Sequence, residues 1–205
     1  MQRKLNIKRN EMNKDIAVKN YNNYYDGLVK TIGEEKANAI INSLGGEESV
    51  ISAPFFNTAD SGVAYEGAFT RSVIRMIKIA YNLNDTLPED LRVSEKAINK
   101  VCLLSHIAKV LLYIPNENKW EVTNRGMLYT FNNDLKGALR VGERSILIAM
   151  NAGVKFSDIE FEAMRIMDKD GSDDNYSKYY SSPLSMIIRQ SNEILDYVNK
   201  SRNNG

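Results

Sequence analysis

The sequence predicts a mainly α fold: a bundle of six or seven helices carrying a small β-hairpin insertion. Three observations predict it. Apolar residues recur at helical spacing along most of the 205 residues. Helix stops and starts stand between those runs, namely Gly45-Gly46, Ser94, and the pair Ser157 and Glu160. Between about residues 111 and 131 the pattern changes to short aromatic and β-branched runs.

Taken in order, a basic arm over residues 1–12 precedes one helical domain over 13–199. The first helix, from about Asn13 to Ile32, has a ragged apolar face of Ile16, Val18, Tyr21, Tyr24 and Leu28. The second runs from about Glu34 to Leu44, and Gly45-Gly46 stops it. Ser52–Gly67, with Pro54, Gly62 and Gly67 among small polar residues, reads as a long loop or turn. Phe69–Leu83 follows as a buried helix. Ser94 caps the next, whose apolar residues run from Ala97 through Leu104 and Ile107 to Leu111.

Leu111–Ile114, Lys119–Val122 and Leu128–Phe131 then read as short strands, with Pro115–Asn118 as a turn between the first two. Helices resume at about Gly142–Ala152 and at Ser157, where Ser157 and Glu160 form a capping box. A polar loop, Asp168–Ser182, leads through Pro183 into a last helix ending near Asn199. The tail 200–205 is expected to fray.

An apolar fraction of 43% and a charged fraction of 26% fit a globular chain with a core. The net charge of +1 gives no general reason to expect a nucleic-acid or membrane partner. The first ten residues, with Arg3, Lys4, Lys8 and Arg9 and no acid, are an exception: they read as a solvated tail, with a weak, salt-sensitive phosphate-contacting arm as the alternative. No stretch reaches the ~18 apolar residues that span a bilayer, and the basic N-terminus lacks the apolar run of a signal peptide. A soluble protein, cytoplasmic or inside a virion, is the expectation. Cys102 is the only cysteine, which excludes an intrachain disulfide, and its apolar surroundings suggest a buried, inert thiol.

Several chemistries are missing. His106 is the only histidine, so a His-rich metal site cannot be assembled. Ser105 adjoins it, but neighbours on a helix point about 100° apart and do not pair as nucleophile and base. The acidic stretch Asp168–Asp174 fails the EF-hand pattern at Asp173 and Tyr179. Gly45-Gly46 follows a helix and not a strand, which makes it a cap and not a phosphate loop. A pair of carboxylates could still do glycoside-type chemistry, yet nothing selects a pair from the 26 acids.

The order of signposts carries more. Tyr65-Glu-Gly-Ala-Phe-Thr-Arg-Ser72 opens a helix, and Leu103-Leu-Ser-His-Ile-Ala-Lys109 comes later. A tryptophan-containing β-insertion follows, then Val141-Gly-Glu-Arg-Ser145, Ala163-Met-Arg-Ile-Met167, and Pro183 to Asn192. Over about residues 50–197 this resembles the HD-domain phosphohydrolases of bacteria and their phages. Those carry, in the same order, Tyr-Glu-Gly-Gly-Leu-x-x-His-Ser, Leu-Leu-His-Asp-x-x-Lys, a hairpin with tryptophan, Gly-His-Gly-Glu-x-Ser, Arg-Trp-His and a late His-x-x-Asp. Lys109, Glu143, Ser145 and Arg165 match.

The resemblance implies a metal cleft whose ligands this chain lacks. The family's ligand positions fall on Ser72, Ser105, His106, Val141, Met167 and Asn192, and the late histidine falls on Arg189. Such a donor set does not suit a hard cation. The implied protein is a pseudoenzyme with no metal, cofactor or catalytic residues, acting as a structural or protein-interaction module, phage-encoded and virion-associated. Tyr21, Tyr24, Tyr25, Tyr176, Tyr179 and Tyr180 are candidate anchors for the partner. The alternative is a metal-independent nucleotide or phosphate binder. It would use Arg71, Lys109, Arg140, Arg165 and Arg189, which the resemblance places at or beside the cleft. The opposing expectation is that these cations point outward or pair with acids such as Glu143 and Asp196. An open positive cleft would favour binding, and a cleft plugged by Met167 and Val141 would favour a scaffold.

Overall fold

The computed structural model describes residues 14–135, 137–167 and 182–201. The basic arm, the tyrosines at 176, 179 and 180, and nearly all of the 168–182 loop lie outside them, as do residues 202–205. The chain is mainly helical with one two-stranded antiparallel sheet, as its sequence predicts. Among the described residues no helix is long and apolar enough to cross a membrane.

Helix α1 spans Lys14–Ile32 and α2 Glu34–Ser43. The Gly45-Gly46 stop works through positive φ at both glycines, which lets the Gly46 N–H reach back to the Ile41 carbonyl at 2.9 Å. The chain then enters a short helix, α3, at Glu47–Ser52, which the sequence pattern did not reveal. Six residues are too few to show a periodicity. Past Ser52, which ends α3, the predicted loop is irregular apart from a 3-10 turn at Ala59–Ser61 and an isolated antiparallel bridge from Thr58 to Met127, and Phe55 N–H to Val63 O folds it on itself.

Helix α4 spans Ala68–Asp85 and α5 Glu95–Leu104; Ser94 caps α5 by accepting from the Ala97 N–H. The predicted helix from Ser94 to Leu111 is not continuous. It breaks at Ser105–Ile107 and restarts as α6, Ala108–Leu112. Apolar periodicity runs straight through the break, so burial continues although the backbone turns. Every residue from 101 to 110 is buried.

Strands β1 (Tyr113–Pro115) and β2 (Tyr129–Phe131) pair antiparallel, with Tyr113 opposite Phe131. The predicted strand at Lys119–Val122 is instead part of helix α7, Lys119–Arg125. Asn118 decides this, because its side chain accepts from the Trp120 and Glu121 N–H groups and starts a helix where the residue types favour a strand. Gly126 closes α7 in the left-handed conformation. Pro115, read as a turn residue, belongs to β1.

Helix α8 spans Val141–Asn151, α9 Asp158–Ile166 and α10 Pro183–Ser201. The Ser157–Glu160 capping box forms in both directions. Lys200 and Ser201, placed in the frayed tail, are the last turn of α10.

The core is one cluster drawn from α1 through α6, α8, α9 and α10 and from the loop before α4. Within it α5 is enclosed by α1, α4, α8, α9 and α10. Polar ties hold the arrangement in register. The Tyr24 hydroxyl donates to the Leu103 carbonyl, and the Lys100 ammonium meets both Glu160 and the Lys155 carbonyl at 2.7 Å. Tyr21 and Tyr24, read as exposed anchors, are buried in this core, and Tyr25 packs against it while donating to Asn38. Tyr21 and Tyr24 hold α1 down, while Tyr25 stays half-buried at the surface.

Replacing Asn118 by Ala removes both cap bonds and is expected to cost about 1 kcal/mol. Chemical denaturation followed by far-ultraviolet circular dichroism checks this. A loss confined to α7, with the midpoint of the main transition unmoved, would separate the hairpin from the core.

Candidate functional site

Of the residues singled out in the sequence, Ser105, His106, Lys109, Arg189 and Asn192 lie along one seam. Its first wall is the corner where α5 ends and α6 begins, Ser105–Ile107; its second is a polar row on α10. Residues 189, 192, 193 and 196 share that helical face by their three- and four-residue spacing.

At the corner, Ser105 turns its hydroxyl back to the Cys102 carbonyl at 3.3 Å. His106 is 1% exposed, with its ring edge-on to Phe55, centroids 4.9 Å apart. Neither ring nitrogen has a hydrogen-bond partner among the described residues. Burial drives the imidazole well below its ordinary titration range, and the nearby Lys109 charge adds to that. Asn192, facing it from α10, pulls weakly the other way. It reaches toward the ring without closing a bond of good geometry, and its Oδ1 is also unsatisfied.

Lys109 is one turn further on. It is only 8% exposed, and its ammonium sits 3.6 Å from the centre of the Phe55 ring and 5.9 Å from that of Phe56. An ammonium packed on a ring face gains about 0.5–2 kcal/mol, which offsets part of its desolvation. Lys109 is also within electrostatic reach of Asp196. The row Phe56, Tyr113, Phe131 carries aromatic contact out to the hairpin, at centroid separations of 6.1 and 5.7 Å. Burial, with Asp196 nearby, pushes the Tyr113 phenol up to about 12.

Helix α8 supports the corner from behind. The Ser145 hydroxyl, fully buried, accepts from the Ala108 N–H at 3.1 Å, one of the orphan donors that begin α6. Glu143 accepts from the Arg140 N–H and so caps α8. The two matches to the HD pattern in this segment thus have structural work to do in this chain.

The five cations separate into two groups. Lys109 and Arg189 are buried; Arg71, Arg140 and Arg165 are exposed. Arg71 donates to the Tyr65 hydroxyl, and Arg140 stands at the α8 N-cap. Arg189, 9% exposed, donates through Nε to Glu193, while its Nη1 is buried without a partner among the described residues. Burial pushes the Cys102 thiol up, which leaves it protonated and unreactive.

The positions where the resemblance places metal ligands are mostly packed into the core. Ser72, Ser105, His106 and Met167 are buried, and Met167, 1% exposed, belongs to the main hydrophobic cluster. Val141 and Asn192 are half-buried. Two hydroxyls, an imidazole, an amide, a thioether and a branched alkyl group bring no carboxylate together and so do not make a site for a hard divalent ion. Among the described residues no three His, Cys, Asp or Glu side chains converge as metal ligands. No family model, curated protein or solved structure matches the chain.

Sequence reasoning missed Phe55 and Phe56, whose signal is only a Phe pair after Pro54, and Glu193 on α10; it named Asp196 only as an acid for the cations to pair with. Replacing Ser145 by Ala leaves the Ala108 N–H unsatisfied at a buried position and is expected to cost about 1–3 kcal/mol. Urea unfolding at neutral pH measures this, and a change below a few tenths would remove Ser145 from the support of the corner.

Proposed function

We propose that this chain is a degenerate HD-like module that does not hydrolyse phosphate esters and acts through contacts with another protein. The observation that carries the reading is Met167. Where the resemblance expects a metal-binding imidazole, an apolar side chain sits in the core cluster, alongside the buried serines at positions 72 and 105. A hydrolase of that class needs a metal to polarise the phosphoryl oxygen and generate hydroxide, and these donors offer it no purchase. Apolar filling of the former cleft stabilises the fold at about 25 cal/mol per Å² of buried apolar surface, which suits a scaffold.

Exposed apolar side chains around the hairpin support a protein partner. Phe56, Ile114, Trp120 and Phe131 are all exposed, and Trp120 is of the type that anchors interfaces. An origin in a phage, with a place in or on the virion, is part of the same proposal and rests on the resemblance.

A second reading, a metal-independent phosphate binder, has one observation in its favour: the Arg189 Nη1 donors are buried and unsatisfied among the described residues. Arg71, Arg140 and Arg165 stand on exposed positions, which weakens it.

Thermal unfolding of the full chain with Mn²⁺, Zn²⁺, inorganic phosphate and a nucleotide series separates the readings, run beside an assay of nucleotide hydrolysis. The expected result is no metal-dependent shift and no turnover. Saturable stabilisation by Mn²⁺ or Zn²⁺, or metal-dependent release of phosphate, would overturn the proposal. Stabilisation by phosphate or a nucleotide alone, about 2.7 kcal/mol at a hundredfold excess over Kd, would put the second reading first.

A further inference from the structure

The seam between the α5–α6 corner and α10 is tightly packed but incompletely bonded. His106 Nδ1 and Nε2, Asn192 Oδ1 and Arg189 Nη1 all lack hydrogen-bond partners among the described residues, and all are cut off from solvent. A neutral imidazole carries one N–H donor and one bare acceptor in either tautomer, so burial without partners already costs stability. A protonated ring would carry two donors and a full charge, with the Asn192 amide as its one acceptor among the described residues and no carboxylate bonded to it.

The charges around the ring offer that cation no relief. On α6, Lys109 is the one neighbour whose charge acts on His106, and it repels a proton. From α10 come Arg189, Glu193 and Asp196. The Glu193 carboxylate is engaged by Arg189 and stays largely in solvent, and Asp196 faces Lys109. The segment before α4 brings Phe55, and α8 meets the corner through Ser145; both are uncharged. Helix α10 supplies the lid of this arrangement through Asn192, while its apolar residues Leu184, Ile187, Ile188 and Leu195 hold the core side.

We infer that the seam is an acid-sensitive latch: proton uptake at His106 parts the polar row of α10 from the α5–α6 corner and exposes the Phe55 face. The unfolded or opened chain binds this proton more readily than the closed one. The closed state is therefore stable above the ordinary histidine value of 6.5 and loses stability as pH falls below it. His106 is the only histidine of the chain. Asp196, on the same face of α10, is the other group to weigh, because burial pushes its carboxyl up although Lys109 opposes that, and the His106→Gln variant separates the two contributions. Local opening of a single helix at a lower free energy than global unfolding is an ordinary property of folded chains.

The test uses the full chain over about pH 7.5 to pH 5 at fixed ionic strength. Urea unfolding gives the folding equilibrium constant. Nuclear magnetic resonance follows the His106 ring and, after correction for intrinsic rates, amide exchange along α10 and α1. The expected constant is level above 6.5 and falls about tenfold per pH unit below it. The ring stays neutral in the closed state, and amides near Asn192 open before those near Tyr24. His106→Gln should flatten the pH dependence. A ring that titrates near 6.5 with no loss of stability would overturn the latch. So would an unchanged slope in His106→Gln, or α10 and α1 amides opening together. If His106→Gln does not fold, the ring titration and the order of amide opening in the natural chain decide alone.

Discussion

Burial of a continuous ten-residue stretch, Val101–Val110, is the constraint from which the rest of the architecture follows. A helix exposed on one side needs a core on the other only; a segment buried all round needs neighbours on every side. Helices α1, α4, α8, α9 and α10 are those neighbours. Because the stretch also changes direction at Ser105–Ile107, backbone groups freed by the break must find partners inside the protein. The Ser145 hydroxyl takes the Ala108 N–H, and the Ser105 N–H stays with the Val101 carbonyl. Two serines and an interhelical contact thus let an α-helix turn in a place water does not reach.

Side chains on the same corner are less well served. Lys109 is accommodated by aromatic faces and an acidic neighbour, whereas His106 has only a ring edge and an amide that falls short. Packing and polar satisfaction are separate requirements, and this seam meets the first far better than the second. The consequence is uneven stability. The side of α10 bearing Ile187 and Leu195 is held by apolar contact, and its other side by groups that would prefer water.

Much of this fold is legible in the sequence, and the exceptions share a cause. The Gly45-Gly46 stop, the Ser94 cap and the Ser157–Glu160 box are local devices whose chemistry does not depend on the rest of the chain. The hairpin is half legible. Tyr113 and Phe131 pair as residue types suggest, but Lys119–Val122 follows the Asn118 cap and ignores its own strand preference. The α5–α6 break is invisible because hydrophobic periodicity reports burial, and burial does not change across it. Tyr21 and Tyr24 mislead in the opposite sense. Asparagines around them suggest a surface, while α2, α4 and α5 cover them. At the seam, sequence identifies His106, Lys109, Met167 and Asn192 as a set. It cannot show that Phe55 lies under the ammonium or that the imidazole lacks a partner, since both depend on how far apart in sequence the meeting segments are.

The chain's only tryptophan stands on α7 at 58% exposure, with the Arg125 guanidinium 5.1 Å from its ring. An indole already in water emits near the long-wavelength limit before any unfolding takes place. Its fluorescence therefore reports the hairpin's surroundings and is nearly blind to the helical core. A partner that covers the hairpin would shift the emission to shorter wavelength, so the residue is a built-in optical reporter of occupancy at that surface and a poor thermometer of the fold.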